Sequence, residues 1–383
     1  MEARADAPRD IGEREPLLIR RVDAIPVALP LKKPMAMAGV TVSRALNLLV
    51  RIEAGDGAVG WGEAASAPTM TGDTLSGLVA AVRDHLAPLL IGEDAWMRPV
   101  VCRKLKHALY GNTGAHSAIE VALLDLAGRS SGLPLSDLIG GATRRAVAPM
   151  WLLGNPTPEQ DIAEAHAKRA EGFGFFKLKI GTKPVDAEIA STLALRQALG
   201  AAMPLCADAN CGLTFADARR YVDGTRAAGL MFVEQPLPHD NLNAISRLTR
   251  VSPTSIGADE GIHSLADIEA HADRGVNGVS LKLIKLGGMS TALEAALLCA
   301  RLGLAVNVAA KIAESSIASA AAIHLACAAP AVDWGVSLTH FYLAEDIAES
   351  ALPVGDGAVA LPARPGLGID VDEAAVERFR VNG

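Results

Sequence analysis

Seven ionisable residues sit at the ends of short apolar runs, in an order that suits acid/base work around a carboxylate. Lys177 and Lys179 lie in Phe176-Lys177-Leu178-Lys179, and Asp208 follows Leu205-Cys206-Ala207. Glu234 follows Phe232-Val233, Asp259 and Glu260 follow Ile256-Gly257-Ala258, and Lys282 lies in Ser280-Leu281-Lys282. Lys177 and Lys179 are two apart, so on a strand both point to one face. Two ammonium groups that close disfavour double charging, which predicts that one pKa falls toward the range a lysine base needs. Asp208, Glu234 and Asp259, if they converge without cations nearby, would repel one another. A hard divalent ion resolves that repulsion, and carboxylate oxygens favour Mg²⁺ or Mn²⁺. Such an ion can bind a substrate carboxylate and stabilise the enediolate left when the α-proton departs.

The elements that must position these groups are legible in the same stretch. Lys179 to Asp208 is 29 positions, Asp208 to Glu234 is 26, Glu234 to Asp259 is 25, and Asp259 to Lys282 is 23. Each step is about one βα unit, which spans roughly 30 residues when its second strand is counted. Eight apolar runs recur: Val147–Leu153, Phe175–Ile180, Pro204–Ala207, Met231–Val233, Ser255–Ala258, Gly278–Ile284, Ala305–Val308 and Val332–Val336. Helical stretches separate them, which predicts a parallel sheet and, at eight strands, a TIM-type α/β barrel over 143–345. Active sites lie at the C-terminal ends of such strands, where the seven residues fall. Lys282 then stands across the barrel from Lys179, so acid/base groups reach two faces of one carbon. Racemisation, epimerisation, β-elimination and cycloisomerisation share the same first intermediate.

Before the barrel, an α+β segment is expected over 17–142. Its strands are Ile19–Leu29, Ala45–Glu53 and Ala58–Ala64, the last two joined by Ala54-Gly55-Asp56-Gly57. Pro30–Ser43 reads as a loop, and Ala115–Ser130 as a helix with Ile119, Ala122, Leu123 and Leu126 on one face. Met1–Pro16 reads as a disordered leader, and residues 346–383 as a segment returning to the first domain through Pro365-Gly366-Leu367-Gly368-Ile369.

Composition narrows the function classes. Half of the 383 residues are hydrophobic and 4% aromatic, so a large aliphatic core is available. The formal net charge of −7, without a basic run, gives no nucleic-acid signal. Five cysteines without a CxxC pair fit a reduced, cytoplasmic protein. The small-residue run Ser315–Val332 holds His324 and Pro330 and reads as a barrel helix, so no membrane is expected.

These motifs in this order resemble the enolase superfamily, closest to its muconate-lactonising subgroup within the mandelate racemase-like enzymes. Lys-x-Lys at 177–179, Asp208-Ala209-Asn210, Glu234-Gln235-Pro236, Asp259-Glu260 and Lys282 followed by Gly287-Gly288 carry the resemblance. Gly60-Trp61-Gly62-Glu63 and Ala118–Asp125 resemble the superfamily's capping domain. The resemblance implies a modified (β/α)7β barrel whose mouth is covered by cap loops, here Pro30–Ser43 and Ala64–Thr71. It implies that Lys179 and Lys282 act on opposite faces of the substrate while Lys177 tunes Lys179 and contacts the carboxylate. Asp208, Glu234 and Asp259 would bind Mg²⁺, with Asn210 and Glu260 supporting them and Glu314 as the strand-seven acid. A small-molecule carboxylate substrate and a homo-oligomer are implied as well. Two departures stand out. Lys311 occupies a position where relatives more often carry a small residue. Gly335-Val336-Ser337-Leu338-Thr339-His340 lacks the Asp-x-Asp with which dipeptide epimerases hold a substrate amine. The missing acids count against a dipeptide substrate, and the lysine suggests an extra anion contact for a second carboxylate on the substrate.

Plainer readings stand beside these. Each acid alone could cap a helix, and Glu314 could cap the one that follows it. His239 reads as a loop residue, His324 as helix packing, and His340 as a candidate for the mouth. Met35, Met37 and Met70 could form a pliable lid or merely fill loops. An isomerase is the leading expectation. A dehydratase or other lyase using the same intermediate, a metal-free Schiff-base aldolase and a non-catalytic binding relative are the alternatives.

Overall fold

The computed structural model describes residues 14–37, 40–349 and 351–382, without the side chains of 36, 37 and 40; most of the expected leader lies outside them. Three antiparallel strands open the chain: β1 (Ile19–Met37), β2 (Val40–Ala54) and β3 (Val59–Ala65). Residues on β2 alternate between two buried faces. Leu48, Val50 and Ile52 join a cap core, while Leu49 joins the main core. The stretch expected as the loop Pro30–Ser43 is instead largely strand. β1 and β2 continue pairing through Met35 opposite Val42, after a register shift between Pro30 and Met35. The shift absorbs Leu31-Lys32-Lys33-Pro34, and the β-branched Val40-Thr41-Val42 favours the resumed ladder.

Helix α1 (Thr113–Ser131) lies against this sheet. It approaches so closely that a Cβ on Gly62 would lie 1.9 Å from the Ala118 carbonyl oxygen, and one on Gly60 would lie 2.2 Å from that of Ala122. The expected face of Ile119, Ala122, Leu123 and Leu126 packs in the cap core. The opposite face is buried too, since Val121 and Leu124 belong to the core shared with the barrel. The helix is thus sandwiched, which explains why its interior shows no polar stripe.

The barrel strands are β4 (Trp151–Leu153), β5 (Phe176–Lys179), β6 (Leu205–Asp208), β7 (Val233–Glu234), β8 (Ile256–Ala258), β9 (Gly278–Leu281), β10 (Ala305–Ala309) and β11 (Val336–Ser337). They are parallel and neighbour one another in sequence order. Met150 N donates to the Val336 oxygen at 2.8 Å and Val336 N to the Ala148 oxygen at 3.0 Å, closing the ring. Seven helices cross between them: α2 (Pro158–Ala170), α3 (Val185–Leu199), α4 (Phe215–Gly224), α5 (Leu242–Val251), α6 (Leu265–Ala272), α7 (Met289–Leu302) and α8 (Ser316–Ala328). The expected modified (β/α)7β barrel with a cap is borne out. The run expected to reach Ile284 ends as strand at Leu281, because a one-turn helix begins at Leu283. The Ala-rich run forms α8, and among the described residues no helix is long and apolar enough to cross a membrane.

Trp334 stacks on Phe232 with centroids 4.0 Å apart. With Met150, Phe175 and Cys206 they form a small core of their own, and Trp334 fills the space a Cβ would need at Gly257 and Gly278. The other end therefore carries the polar groups. After the barrel the chain returns to α1, where Leu367 N donates to Asp125 Oδ1 at 2.8 Å and Arg129 Nη2 to the Ile369 oxygen at 2.7 Å.

Candidate active site

Strand alternation aims β5 as expected: Phe176 and Leu178 face the outer core, and Lys177 and Lys179 face the barrel axis. β6 and β7 place Asp208 opposite Glu234 in register, and Asp259 follows β8 directly. Lys282 stands just past β9, four strands from Lys179 in a ring of eight. Lys177, Lys179, Asp208, Glu234, Asp259 and Lys282 line one cavity of about 60 Å³, which Asn210, Lys311, Ser337, Thr339 and Met70 complete. A larger hollow of about 280 Å³ lies at the opposite barrel end, around Phe175, Met231 and Gly335, without a comparable set of acid and base groups.

Each carboxylate is held by lysine. Lys177 pairs with Glu234, whose other oxygen accepts from Ser280 Oγ at 2.5 Å. Lys179 Nζ donates to Asp208 Oδ2 at 2.6 Å and to Asn210 Oδ1 at 2.8 Å. Asn210 Nδ2 in turn donates to Glu260 Oε1 at 2.9 Å. Asp259 pairs with Lys282 and accepts from Lys285 Nζ on its other oxygen at 2.6 Å. Asn210 and Gln235, which follow the acid-bearing strands, have φ of 41° and 36°. Backbone strain of this kind gathers at functional sites.

The electrostatics correct one expectation. The carboxylates do not converge without cations, because four lysines already sit among them. Lys177 is not a lysine whose pKa falls: burial alone would lower it, but Glu234 and Asp208 outweigh burial and hold it above its ordinary value. Burial likewise opposes the charges on Asp208 and Asp259, yet Lys179 and Lys177 hold the first low, and Lys282 and Lys285 the second. Lys282 is held up against burial by Asp259 and Glu234. Glu260 rises to about 7, through burial and then repulsion from Asp259 and Asp208.

Lys285 went unnoticed in the sequence reading. Its side chain is fully buried, and it bonds the carboxylate and carbonyl of Asp259 and the Ser280 carbonyl. The available signal was a lysine set in the apolar turn Leu283-Ile284-Lys285-Leu286. Ser280 and Asn307 were missed too, and hidden strand positions offer no signal for them. Glu314 lies off the cavity beside the cap: it accepts from Ala65 N at 3.3 Å and Lys311 N at 2.8 Å, and burial lifts it to about 7. Among the histidines, His324 packs between Ser136 N and the Leu367 oxygen. His340 is tied to Ser319 and the Leu352 oxygen and does not line the cavity. Met70 does line it, held by its carbonyl to His263 Nε2 at 2.8 Å, whereas Met35 packs in the core.

The chain is a capped (β/α)7β barrel in which one cavity carries Lys179, Lys282 and three carboxylates. The matches to family models are to the mandelate racemase / muconate lactonizing enzyme N-terminal domain over residues 19–140 and the enolase C-terminal domain-like family over 160–375. The chain belongs to the muconate-lactonising family of the enolase superfamily. It is 32% identical over 366 residues to chloromuconate cycloisomerase of Pseudomonas putida, covering 94% of this chain and 98% of that one. It is 30% identical over 354 residues to L-Ala-D/L-Glu epimerase of Bacillus subtilis, covering 92% and 96%. The solved muconate lactonizing enzyme of Pseudomonas fluorescens, complexed with muconolactone, superimposes with a TM-score of 0.92 at 31% identity, covering 96% and 100%. These relatives are isomerases, in line with the enzyme class expected.

Proposed function

We propose that this enzyme is a divalent-metal-dependent isomerase that removes a proton α to a substrate carboxylate, as a cycloisomerase or a racemase/epimerase. The observation that carries the reading is the placement of Lys179 and Lys282 four strands apart on one cavity, with three carboxylates on the strands between. Asp208, Glu234 and Asp259 would hold Mg²⁺ or Mn²⁺. They are all hard oxygen donors, buried, and on three consecutive strands. Among the described residues no three acidic, His or Cys side chains are gathered closely enough to share one ion. Each of these carboxylates is paired with an ammonium group, so a cation would compete with those lysines for it. When bound, the cation would supply positive charge to the substrate carboxylate as negative charge develops on it.

The chain's own groups do the proton chemistry. Lys179, held by Asp208 and Asn210, takes or gives the proton on one face of the α-carbon. Lys282 serves the other face. A cation taking over Asp259 would compete with its pairing to Lys282 and lower the lysine's pKa toward that of a working base. Lys177 orients Glu234, and Asn210 ties Asp208 to Glu260. Because one intermediate serves both outcomes, a dehydratase or other lyase remains the alternative chemistry. A cytoplasmic homo-oligomer, with cap 17–142, barrel 143–345 and closing segment 346–383, completes the proposal.

The test is proton NMR in D₂O with a panel of N-acyl amino acids, betaines, hydroxy acids, muconates and dicarboxylates. Exchange of an α-proton, or for a muconate the appearance of lactone carrying deuterium at the α-carbon, that requires Mg²⁺ and stops in EDTA is the expected result. No exchange across the panel, with no Mn²⁺ bound in a titration, would overturn the reading.

A further inference from the structure

The wall of the cavity between β10 and β11 carries a cation and a hydroxyl that the chemistry above does not use. Lys311 follows β10, is half-buried, and lines the cavity. Among the described residues no hydrogen-bond or ion-pair partner reaches its Nζ, whereas Lys177, Lys179, Lys282 and Lys285 each hold a carboxylate. Ser337, at the end of β11, lines the same cavity and is 5% exposed, and among the described residues its Oγ has no hydrogen-bond partner. A buried hydroxyl without a partner is unfavourable, so both groups lack what a ligand could bring.

The backbone around them is fixed. Lys311 N donates to Glu314 Oε2 at 2.8 Å, and Ala310 N to the Ser337 oxygen at 2.8 Å. Thr339 Oγ1 donates to the Lys311 oxygen at 2.9 Å and the Glu314 oxygen at 3.2 Å. Three contacts therefore lock the turn after β10 to the end of β11, so the pair is presented on a rigid frame. Burial disfavours the Lys311 charge and Lys282 adds repulsion, while Glu314 offsets this in part. An incoming anion would relieve that penalty.

We propose that Lys311 and Ser337 form a second anion subsite, so that the substrate is a carboxylic acid bearing another carboxylate away from the reacting carbon. The proposal rests on the enolisation reading for which carboxylate is attacked, but the subsite itself makes a separate binding claim. An ammonium group on the same arm of a substrate would meet Lys311 as a like charge, so free dipeptides are disfavoured.

The test is calorimetric titration of the full-length enzyme with Mg²⁺. The ligands are cis,cis-muconate, N-succinyl-L-alanine and glutarate, each compared with its monomethyl ester. A charge-assisted contact predicts that at least one diacid binds about 10- to 100-fold more tightly than its ester. That ratio collapses toward one in Lys311→Met, recovers in part in Lys311→Arg, and drops several-fold in Ser337→Ala. A ratio near one in the unmodified enzyme, a ratio unchanged in Lys311→Met, or no binding of any diacid overturns the subsite. Should Lys311→Met fail to fold, Ser337→Ala, which loses one oxygen, decides in the same way. Failure of the chemistry looks different: diacids would bind through Lys311 without any α-proton exchange. Conversely, equal exchange of diacids and esters would keep the chemistry and remove the subsite.

Discussion

Two lysines near one cavity should respond oppositely to the same substitution. Lys285 gives three donor contacts, to the Asp259 carboxylate and carbonyl and to the Ser280 carbonyl. Lys285→Met keeps the length but strands those acceptors and half of the pairing of Asp259. Breaking a buried pair costs about 3–5 kcal/mol. Lys282 still neutralises Asp259, which argues for the lower end. Burial already pulls the Lys285 pKa below its ordinary value, so losing its charge also relieves a penalty. A net loss of about 2–3 kcal/mol follows, which for a chain of 383 residues lowers Tm by about 2–4 °C. Among the described residues Lys311 has no partner to strand, so Lys311→Met should leave Tm unchanged or raise it. Circular dichroism melts of the three proteins in EDTA at pH 7.5 measure the contrast. Equal shifts in both variants, or a Tm for Lys285→Met at or above that of the unmodified enzyme, would refute the reasoning.

Three further outcomes follow from the cap. Glu63 accepts from Asn47 Nδ2, from Ser315 N and Oγ and from Ala318 N at the start of α8, and burial lifts its carboxyl from 4.5 to about 8. A raised carboxyl binds its proton more tightly folded than unfolded, so its contribution is fully present below pH 4.5 and lost as pH rises through 8. Glu63→Gln should therefore flatten the fall in Tm between pH 5 and pH 8, and an unchanged slope would count against this. Gly62→Ala drives a methyl into the Ala118 carbonyl and should cost about 3 kcal/mol or more, read as lost soluble yield or a lower urea midpoint. Gly288→Ala meets Glu120 Oε2 at 2.0 Å with φ at 128°, and should loosen α7 from α1, read as faster amide exchange in α7.

The barrel was legible because β strands and helices alternate in the sequence with their own periods, and because Lys177, Lys179, Asp208, Glu234, Asp259 and Lys282 each end an apolar run. The placement of Lys179 opposite Lys282 followed from counting strands. What escaped was set by neighbours distant in sequence. Which lysine neutralises which acid depends on depth within the barrel, so Lys177 reaching Glu234, 57 positions on, has no local signature. Lys285 hid inside an apolar turn whose burial comes from packing against α1. The β1–β2 extension was obscured by Pro30, Pro34 and Gly39, which read as loop punctuation, although pairing resumes beyond a register shift. The apolar face of α1 was recognised, but its second buried face was not, since a sandwiched helix loses the polar stripe by which periodicity is read.

The most direct test of the central claim uses the lysines themselves. Once a substrate is found on the NMR panel, Lys179→Ala and Lys282→Ala are each incubated with Mg²⁺ in D₂O and with either stereoisomer of it. If the lysines work on opposite faces, each variant loses exchange by about 10²- to 10⁴-fold. Any exchange that survives is confined to one stereoisomer, and to the other stereoisomer in the other variant. Undiminished exchange of both stereoisomers in either variant would contradict the two-lysine mechanism.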